Sequence, residues 1–383
     1  MRILAATPYY TPEGGGLERY AHETLRRLAA RGHDVEAVAF TLGGASEQVL
    51  DGVRIHRMTP RFRAGNTPID PGFAASLRGR VRASRPDMML LHTPVPFPAQ
   101  AAAAVARREG IPYVVTYHAG SLRGSSPVLG AVAALDRWTL ERRMLANASA
   151  LVAVSPYVRE HALQRHRTRT TVIPPGVDAD RFLPNGRCKG QTVLFVGPLA
   201  KAYRWKGIDI LWRAFKQVRH RMPDARLRIV GAGDRFPEFQ EKVRESSLNV
   251  QLMGRVPDER FPRIYQDASV TVLPSLTDAE SFGMVLAEAN ACGRPVVASN
   301  VGGIPDFVRD GDNGYLARPG DPFDLANRIL TVLQDPDSAA AMGRRGRERV
   351  VKEHDWDALT VRTEMVLETA LARSAPLAQT QPT

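Results

Sequence analysis

Short apolar runs alternate with amphipathic segments along both halves of this chain. In the first half, the runs predicted to form strands are Arg2–Ala6, Val35–Phe40, Val53–Arg57, Met88–Leu91, Pro112–Tyr117 and Leu151–Val154. In the second half they are Thr192–Val196, Leu227–Val230, Asn249–Leu252, Val270–Leu273 and Pro295–Ala298. Alternation of strands with helices predicts an α/β protein whose parallel sheets carry helices on both faces.

The first helical segment has the clearest periodicity, and Gly32 ends it. Its apolar face follows i, i+3, i+4 spacing through Leu17, Tyr20, Ala21, Thr24, Leu25 and Leu28. A last helix is expected over residues 356–373, followed by a disordered tail over 374–383.

The length of 383 residues predicts two domains. A polar turn cluster at Pro184-Asn185-Gly186 is the expected seam, which gives domains of 1–185 and 186–355. Open α/β sheets bind ligands at the carboxyl ends of their strands, and most motifs below fall at such ends.

Composition excludes several classes of protein. No run of 18 or more apolar residues occurs, so no spanning helix is expected, and Met1–Ala6 reads as a buried strand and not a signal peptide. Cys188 and Cys292 are far apart, which is typical of free thiols in a reducing cytosol. We therefore expect a cytoplasmic protein.

The net charge of +12 lies mainly in the N-terminal half, because residues 1–180 carry +8 and the remainder +4. A basic domain favours anionic partners such as phosphates, acidic lipid surfaces or nucleic acid. The alternative is that arginines simply cover solvated faces.

The segment between Glu280 and Glu288 carries the most chemical information. Helical spacing would place residues eight apart on roughly the same face, so both carboxylates could face one cavity. The turn between them would expose backbone amides at a helix start, where phosphate and sugar oxygens bind. The residues of that turn and helix start are Ser281, Phe282, Gly283, Met284 and Val285. Acids for hydroxyls beside amides for phosphates predict a nucleotide-sugar pocket.

Two further loops are suited to phosphate. Gly14, Gly15 and Gly16 open the first helix, where a diphosphate could rest on the helix N-terminus; a structural tight turn is the alternative. The loop after Val196 carries three cations that could neutralise a leaving diphosphate: Lys201, Arg204 and Lys206. Its alternative is a solvated basic loop.

Two strand ends offer other contacts. A nucleobase edge could bind the backbone at Met253, Gly254, Arg255 and Val256. His118 closes another strand and would face the cleft, although a lone histidine is often structural. Three D-x-D sequences do not follow apolar strands, so no metal site is expected, and no Walker A, G-x-S-x-G or H-E-x-x-H motif occurs.

Together these motifs resemble the family-4 retaining glycosyltransferases of the GT-B fold. The residues that carry the resemblance are Gly14–Gly16 with Glu18, Tyr117-His118, Pro174–Asp178, Lys206-Gly207, Glu280–Glu288, Gly302-Gly303, Pro305, Asp306 and Asp310–Gly314. The resemblance implies two Rossmann-like α/β/α domains facing across a deep cleft. The N-terminal domain would bind the acceptor, the C-terminal domain would bind the nucleotide sugar, and the last helix would cross back onto the N-terminal domain.

The resemblance also implies residue roles. Glu280 with the backbone at Phe282 and Gly283 would bind donor-sugar hydroxyls, and Glu288 would bind the ribose. Phosphates would meet the amides of Met284 and Val285, the side chains of Arg204 and Lys206, and Gly16. His118 would lie beside the donor sugar. Many relatives have arginine where this chain has Pro198, so Lys201 or Arg204 would supply that charge.

The implied reaction is metal-independent, same-face transfer of a hexosyl group, with no cofactor beyond the donor itself. GDP-mannose is the first expectation for the donor and a UDP-sugar the second, and the acceptor would be a glycan or lipid-linked. A nucleotide-sugar epimerase or a phosphorylase on the same fold is the alternative enzyme. A nucleic-acid-binding protein is the non-enzyme alternative, but no recognisable binding module is present.

A basic amphipathic segment in the N-terminal half suggests a membrane-facing acceptor surface. Phe73 and Leu77 share helical spacing, and the arginines around them are Arg78, Arg80, Arg82 and Arg85. Such a helix can lie on anionic lipid, where each cation adds about 1 kcal/mol. This predicts peripheral association with the inner face of the plasma membrane; the alternative is an ordinary helix that packs Phe73 and Leu77 inward.

Overall fold

The computed structural model describes residues 1–64, 67–119, 137–186 and 190–374. They form two compact units, Met1–Pro174 together with the chain from Trp356 onward, and Pro175–Asp355. The boundary therefore precedes the expected seam at residues 184–186. The reason is that Val177 and Phe182 are buried in the core of the second unit. Cys188 and residues 375–383 of the expected tail lie outside the described residues.

The first unit is built on an eight-stranded sheet of order β10-β9-β8-β7-β1-β2-β4-β3, in which all pairs are parallel except β3 with β4. Its strands are β1 Arg2–Tyr9, β2 Asp34–Phe40, β3 Ser46–Leu50, β4 Val53–Met58, β7 Met88–Thr93, β8 Tyr113–Tyr117, β9 Ala150–Ala153 and β10 Thr170–Val172. A separate antiparallel pair consists of β5 Phe62–Ala64 and β6 Thr67–Ile69. The six predicted strands are confirmed. Short or largely exposed strands such as β3 had no apolar signal.

The helices of this unit are α1 Gly16–Ala30, α2 Phe73–Ser84, α3 Pro98–Arg108, α4 Arg142–Asn147, α5 Pro156–His161 and α13 Trp356–Ser374, with a π-turn at Arg137–Glu141 and a 3₁₀ turn at Gln164–Arg169. Helix α13 buries Leu359 and Leu367 in the same core as β1 and β2. It is also tied to α1, because Arg27 Nε donates to Asp357 at 2.7 Å.

The second unit has a six-stranded, wholly parallel sheet of order β13-β12-β11-β14-β15-β16. Its strands are β11 Thr192–Val196, β12 Arg226–Val230, β13 Val250–Gly254, β14 Val270–Leu273, β15 Val296–Ser299 and β16 Gly314–Ala317. Its helices are α6 Ile208–Arg221, α7 Phe236–Glu245, α8 Phe261–Gln266, α9 Met284–Ala291, α10 Ile304–Phe307, α11 Pro322–Gln334 and α12 Pro336–Glu353, with 3₁₀ turns at Lys201–Lys206 and Asp258–Arg260. Both sheets belong to the predicted α/β class, and β16 was not foreseen.

Helix α2 does not present the apolar face that the membrane prediction required. Phe73 and Leu77 are fully buried, so they pack into the N-terminal unit. The arginines on its outer side pair with carboxylates: Arg78 and Arg82 with Glu109, and Arg80 with Glu47. Burial of Phe73 and Leu77 favours the alternative, an ordinary packed helix. The predicted peripheral association with a lipid surface stays a prediction. None of the helices in the described ranges combines the length and apolar composition that crossing a bilayer requires.

Candidate functional site

Glu280 lies at the centre of a small polar cluster in the second unit. Its side chain is almost completely buried, and its Oε2 accepts hydrogen bonds from Lys206 Nζ at 2.6 Å and from Ser275 Oγ at 3.0 Å. The Lys206 ammonium also lies 4.5 Å from the centre of the Trp205 ring. A buried carboxylate needs such partners, because an unpaired charge in the interior is costly.

Glycines bring these two loops into contact. Gly207 has φ +73°, and a Cβ there would lie 1.8 Å from the carbonyl oxygen of Pro274, so only glycine fits. Just beyond, the Leu276 amide donates to the Trp205 carbonyl at 2.7 Å. The turn that carries Lys206 is thus held against the segment after β14 by backbone contacts as well as by the Lys206–Glu280 pair.

A second close approach fixes the backbone of Glu280 itself. The Gly303 amide donates to the Glu280 carbonyl at 2.9 Å, and a Cβ on Gly302 would lie 2.1 Å from the same oxygen. The Gly302-Gly303 pair, which sequence analysis noted only as part of a pattern, therefore positions Glu280.

The two carboxylates do not share a helical face. Helix α9 begins after Gly283, at φ +84°, so Glu280 lies in the preceding loop and only Glu288 is helical. Glu288 is 3 % exposed and accepts a hydrogen bond from the Tyr265 hydroxyl at 2.6 Å. The shared helical face predicted from their spacing is wrong, because Glu280 precedes the start of the helix. Tyr265 was missed, since nothing near it in the sequence signals a partner for Glu288.

The turn before α9 contains both buried and partly exposed residues. Phe282 is a core residue whose ring packs on Phe307 and His354, so only its backbone is suited to a ligand. The residues of this turn and helix start that are partly exposed are Ser281, Met284 and Val285. This leaves the start of α9 partly open at the positions where phosphate was predicted.

The other predicted donor contacts in this unit are spread over two strand ends. Lys201 and Arg204 have exposed side chains in the turn that ends at Lys206. After β13, Arg255 is exposed and Val256 is buried, while Met253 packs partly against the core. The Gly254 carbonyl accepts from the Gly231 amide at 2.9 Å, so this oxygen already has a backbone partner.

In the first unit, the glycine loop is closed by an acid of its own helix. The Gly15 amide donates to Glu18 Oε2 at 2.7 Å, and a Cβ on Gly14, at φ +102°, would overlap the Glu18 side chain at 2.4 Å. Burial raises the pKa of Glu18 above its ordinary value. The Gly15 amide, predicted to meet phosphate, is therefore occupied from within the loop, and Gly16 begins α1.

Side chains from neighbouring strands fix the remainder of that loop. Glu13 accepts from the Thr41 hydroxyl at 2.6 Å and from the Leu42 amide at 2.8 Å. Arg57 donates to the Tyr10 carbonyl at 2.9 Å. The residues that precede the three glycines are thus held by hydrogen bonds from Thr41, Leu42 and Arg57.

His118 follows β8 and is partly exposed. Its Nε2 lies 2.9 Å from Nδ1 of the buried His92, its amide donates to the Thr93 carbonyl at 2.9 Å, and its ring meets the edge of Tyr20 with centroids 4.9 Å apart. The pKa of His118 is lowered well below its usual value, mainly because the ring is buried and to a smaller extent because His92 lies beside it. It is consequently neutral near pH 7. Sequence analysis did not identify His92 or Tyr20 as its neighbours.

Several other candidate groups have structural roles. Asp335 caps helix α12 by accepting from the Ser338 amide at 3.0 Å, and Asp357 pairs with Arg27. Burial raises the pKa of the Cys292 thiol to about 12, which makes it unreactive. Within the described ranges, no group of three or more His, Cys, Asp or Glu side chains could hold a metal ion.

Comparison with known proteins matches nearly the whole chain to glycosyltransferases. Residues 14–181 match the model of Glycosyltransferase Family 4, and residues 190–335 match that of Glycosyl transferases group 1. A D-inositol 3-phosphate glycosyltransferase of Thermobifida fusca is 30 % identical over 88 % of this chain and 84 % of its own. A GDP-mannose-dependent alpha-(1-6)-phosphatidylinositol monomannoside mannosyltransferase of Mycolicibacterium smegmatis is 29 % identical, covering 92 % of this chain and 95 % of its own.

The fold comparison agrees. The structure of a sucrose-phosphate synthase from Thermosynechococcus elongatus superposes with a TM-score of 0.79 at 23 % identity, covering 97 % of this chain and 100 % of that one. The chain belongs to the family-4, group-1 glycosyltransferases and has the GT-B fold.

Proposed function

We propose that this protein is a retaining hexosyltransferase that uses a nucleoside-diphosphate sugar and an acceptor that is a glycan or lipid-linked. The observation that carries the proposal is the pairing of Lys206 with the buried Glu280 at 2.6 Å, beside the partly open start of helix α9. A cation, a fixed carboxylate and a helix N-terminus are the groups that a diphosphate and a sugar hydroxyl require together.

In this reaction Lys206 stabilises the diphosphate as the bond from the anomeric carbon to the phosphate oxygen breaks. Positive charge placed where negative charge develops lowers the barrier, because it binds the transition state more tightly than the ground state. Arg204 and Lys201, exposed in the same turn, are the candidates for a second cation. Supplying this charge from the protein is the reason for proposing a metal-independent reaction.

The acceptor hydroxyl attacks the same face of the sugar from which the diphosphate departs. Its oxygen forms the new bond to the anomeric carbon, and its proton passes to the departing phosphate oxygen. Glu280 would hold a hydroxyl of the transferred sugar through its second carboxylate oxygen, since Lys206 and Ser275 already occupy the first. Glu288 would bind ribose hydroxyls, with Tyr265 fixing its carboxylate.

GDP-mannose is the proposed first donor and a UDP-sugar the second. The support for mannose is the similarity to the Mycolicibacterium smegmatis relative, whose name states dependence on GDP-mannose and a phosphatidylinositol mannoside acceptor. The same similarity makes a lipid-linked acceptor the first class to test.

The test is a transfer assay with the purified chain, GDP-mannose or UDP-glucose, and a set of phosphoinositol, lipid-linked and oligosaccharide acceptors. We expect acceptor-dependent release of the nucleoside diphosphate and a product whose anomeric configuration, read by proton NMR, equals that of the donor. Lys206→Ala should abolish transfer, whereas Lys216→Ala, an exposed lysine of α6, should not.

Three outcomes would contradict the proposal. Conversion of the donor without any acceptor would indicate an epimerase, and a strict need for inorganic phosphate would indicate a phosphorylase. Inversion at the anomeric carbon would reject the retaining mechanism while leaving transfer intact.

A further inference from the structure

Two histidine rings on adjacent strands share one hydrogen bond. His92 in β7 has no exposed surface, and its Nδ1 lies 2.9 Å from Nε2 of His118, which follows β8. The Tyr20 ring is in a T-shaped arrangement with both rings, with its centroid 4.9 Å from that of His118 and 6.2 Å from that of His92. The Tyr20 hydroxyl donates to the Ile173 carbonyl at 3.3 Å, so the ring that supports the pair is itself anchored.

Only one proton can lie between the two facing nitrogens. Burial lowers the pKa of His92 to about 3 and also lowers that of His118, so both rings are neutral and each carries a single N–H. In one arrangement, His92 Nδ1 donates and His118 carries its own proton on Nδ1. In the other, His118 Nε2 donates and His92 carries its proton on Nε2.

The surroundings of His92 distinguish these arrangements. Its Nε2 is buried and has no hydrogen-bond partner among the described residues. The second arrangement would leave a buried N–H without an acceptor, whereas the first leaves only a bare lone pair. Buried N–H groups without partners are rarer than under-satisfied acceptors. The first arrangement is therefore favoured.

We propose that His92 is a positioning residue that holds His118 as the Nδ1–H tautomer, so that His118 offers an N–H donor and not a lone pair to a ligand oxygen. The identity of the ligand rests on the proposed function; the tautomer does not. An N–H donor at this position would select for a sugar oxygen that can accept, and rotation of the ring would remove that contact.

The direct test is nitrogen-15 NMR on the full chain labelled at histidine, without substrate, with the His118 signals assigned by His118→Gln. We expect His118 Nδ1 in the protonated shift range and Nε2 in the hydrogen-bonded, unprotonated range. A protonated Nε2 on His118 would overturn the proposal. His92→Phe should abolish the single-tautomer pattern, while His92→Asn, whose amide reaches the position of Nδ1, should largely retain it.

Kinetics provide a second readout that separates positioning from structure. Loss of an orienting partner typically costs about 10–100-fold in activity, so His92→Phe should lower kcat by that order while Asn restores most of it. A purely structural role predicts the reverse order, because a buried amide with unmet hydrogen bonds is less stable than an apolar ring. Equal loss of kcat in both variants would reject positioning.

The two proposals fail separately. A wrong tautomer in an enzyme that still transfers sugar rejects only the role of His92. The expected tautomer in a protein without transferase activity would leave the histidine pair standing and reject the proposed function.

Discussion

The ammonium of Lys206 lies 2.6 Å from a carboxylate oxygen of Glu280, which is 6 % exposed. A nucleoside diphosphate would therefore compete with Glu280 for the same cation. Glu280 would repel the diphosphate, whereas Lys206 would attract it. Substitutions of the two residues should therefore change diphosphate affinity differently.

Glu280→Gln should lower transfer by at least about 100-fold while leaving nucleoside-diphosphate affinity unchanged or tighter, because the neutral amide no longer competes for Lys206. Lys206→Ala should lower both the transfer rate and the affinity for the nucleoside diphosphate. Isothermal titration with GDP and UDP, beside the transfer assay, measures the two quantities. Weaker diphosphate binding by Glu280→Gln would show that the carboxylate does not oppose the phosphate.

Tyr265→Phe should weaken nucleoside-diphosphate binding by about 10-fold or more, the usual effect of one lost hydrogen bond to a charged group, by releasing the Glu288 carboxylate. The informative control is the ligand: a 2′,3′-dideoxy nucleoside diphosphate lacks the hydroxyls that Glu288 would hold, so its affinity should not change. Tyr315→Phe in β16 is the matched protein control. An equal loss of affinity for both ligands would show that Tyr265 does not act through the ribose hydroxyls.

Leu77→Ala in α2 should lower the free energy of unfolding by about 2–5 kcal/mol, as expected for truncating a fully buried leucine. Replacing Arg78, Arg80 and Arg82 together by serine should leave sedimentation with anionic liposomes unchanged, because these arginines already pair with Glu109 and Glu47. Denaturant unfolding and vesicle sedimentation measure the two effects. A selective loss of anionic-liposome binding in the triple variant would support the predicted membrane role of this helix.

Glu18→Gln should stabilise the protein near neutral pH and have little effect near pH 4. Burial raises the pKa of Glu18 above its ordinary value of 4.5, so the folded state binds its proton more tightly than the unfolded state. Stability is therefore lost as pH rises from 4.5 through the folded pKa, and a glutamine, which can still accept from the Gly15 amide, avoids that loss. Thermal melts across this pH range check it, with the exposed Glu348→Gln as control. A stabilisation that does not depend on pH would contradict this origin.

Much of the fold was readable because both sheets are built from buried strands. Runs such as Met88–Leu91 and Val270–Leu273 are buried on both faces and mostly apolar, which is the pattern of a parallel sheet covered by helices. The strand β3 was not readable, because four of its five residues are exposed. The domain boundary was also misplaced, since a polar turn at 184–186 gave a stronger local signal than the burial of Phe182.

The candidate site divides in the same way. The order and spacing of Gly14–Gly16, Lys206-Gly207 and Glu280–Glu288 were enough to identify the family, because a turn, a cation and an acid each leave a local signature in sequence. Their roles toward the donor stay predictions. The spacing between Glu280 and Glu288 misled, since helical periodicity was applied across a segment whose helix begins only at Met284.

By itself, then, the sequence determined the fold class, the family and the loops that carry the chemistry. Only the tertiary structure decided the partners: Lys206 with Glu280, Tyr265 with Glu288, and His92 with His118. The physical reason is that a hydrogen bond between residues 23 to 74 positions apart depends on which helices, strand ends and loops lie side by side. Local propensity specifies each strand, whereas the pairing of strands is set by packing of the whole core.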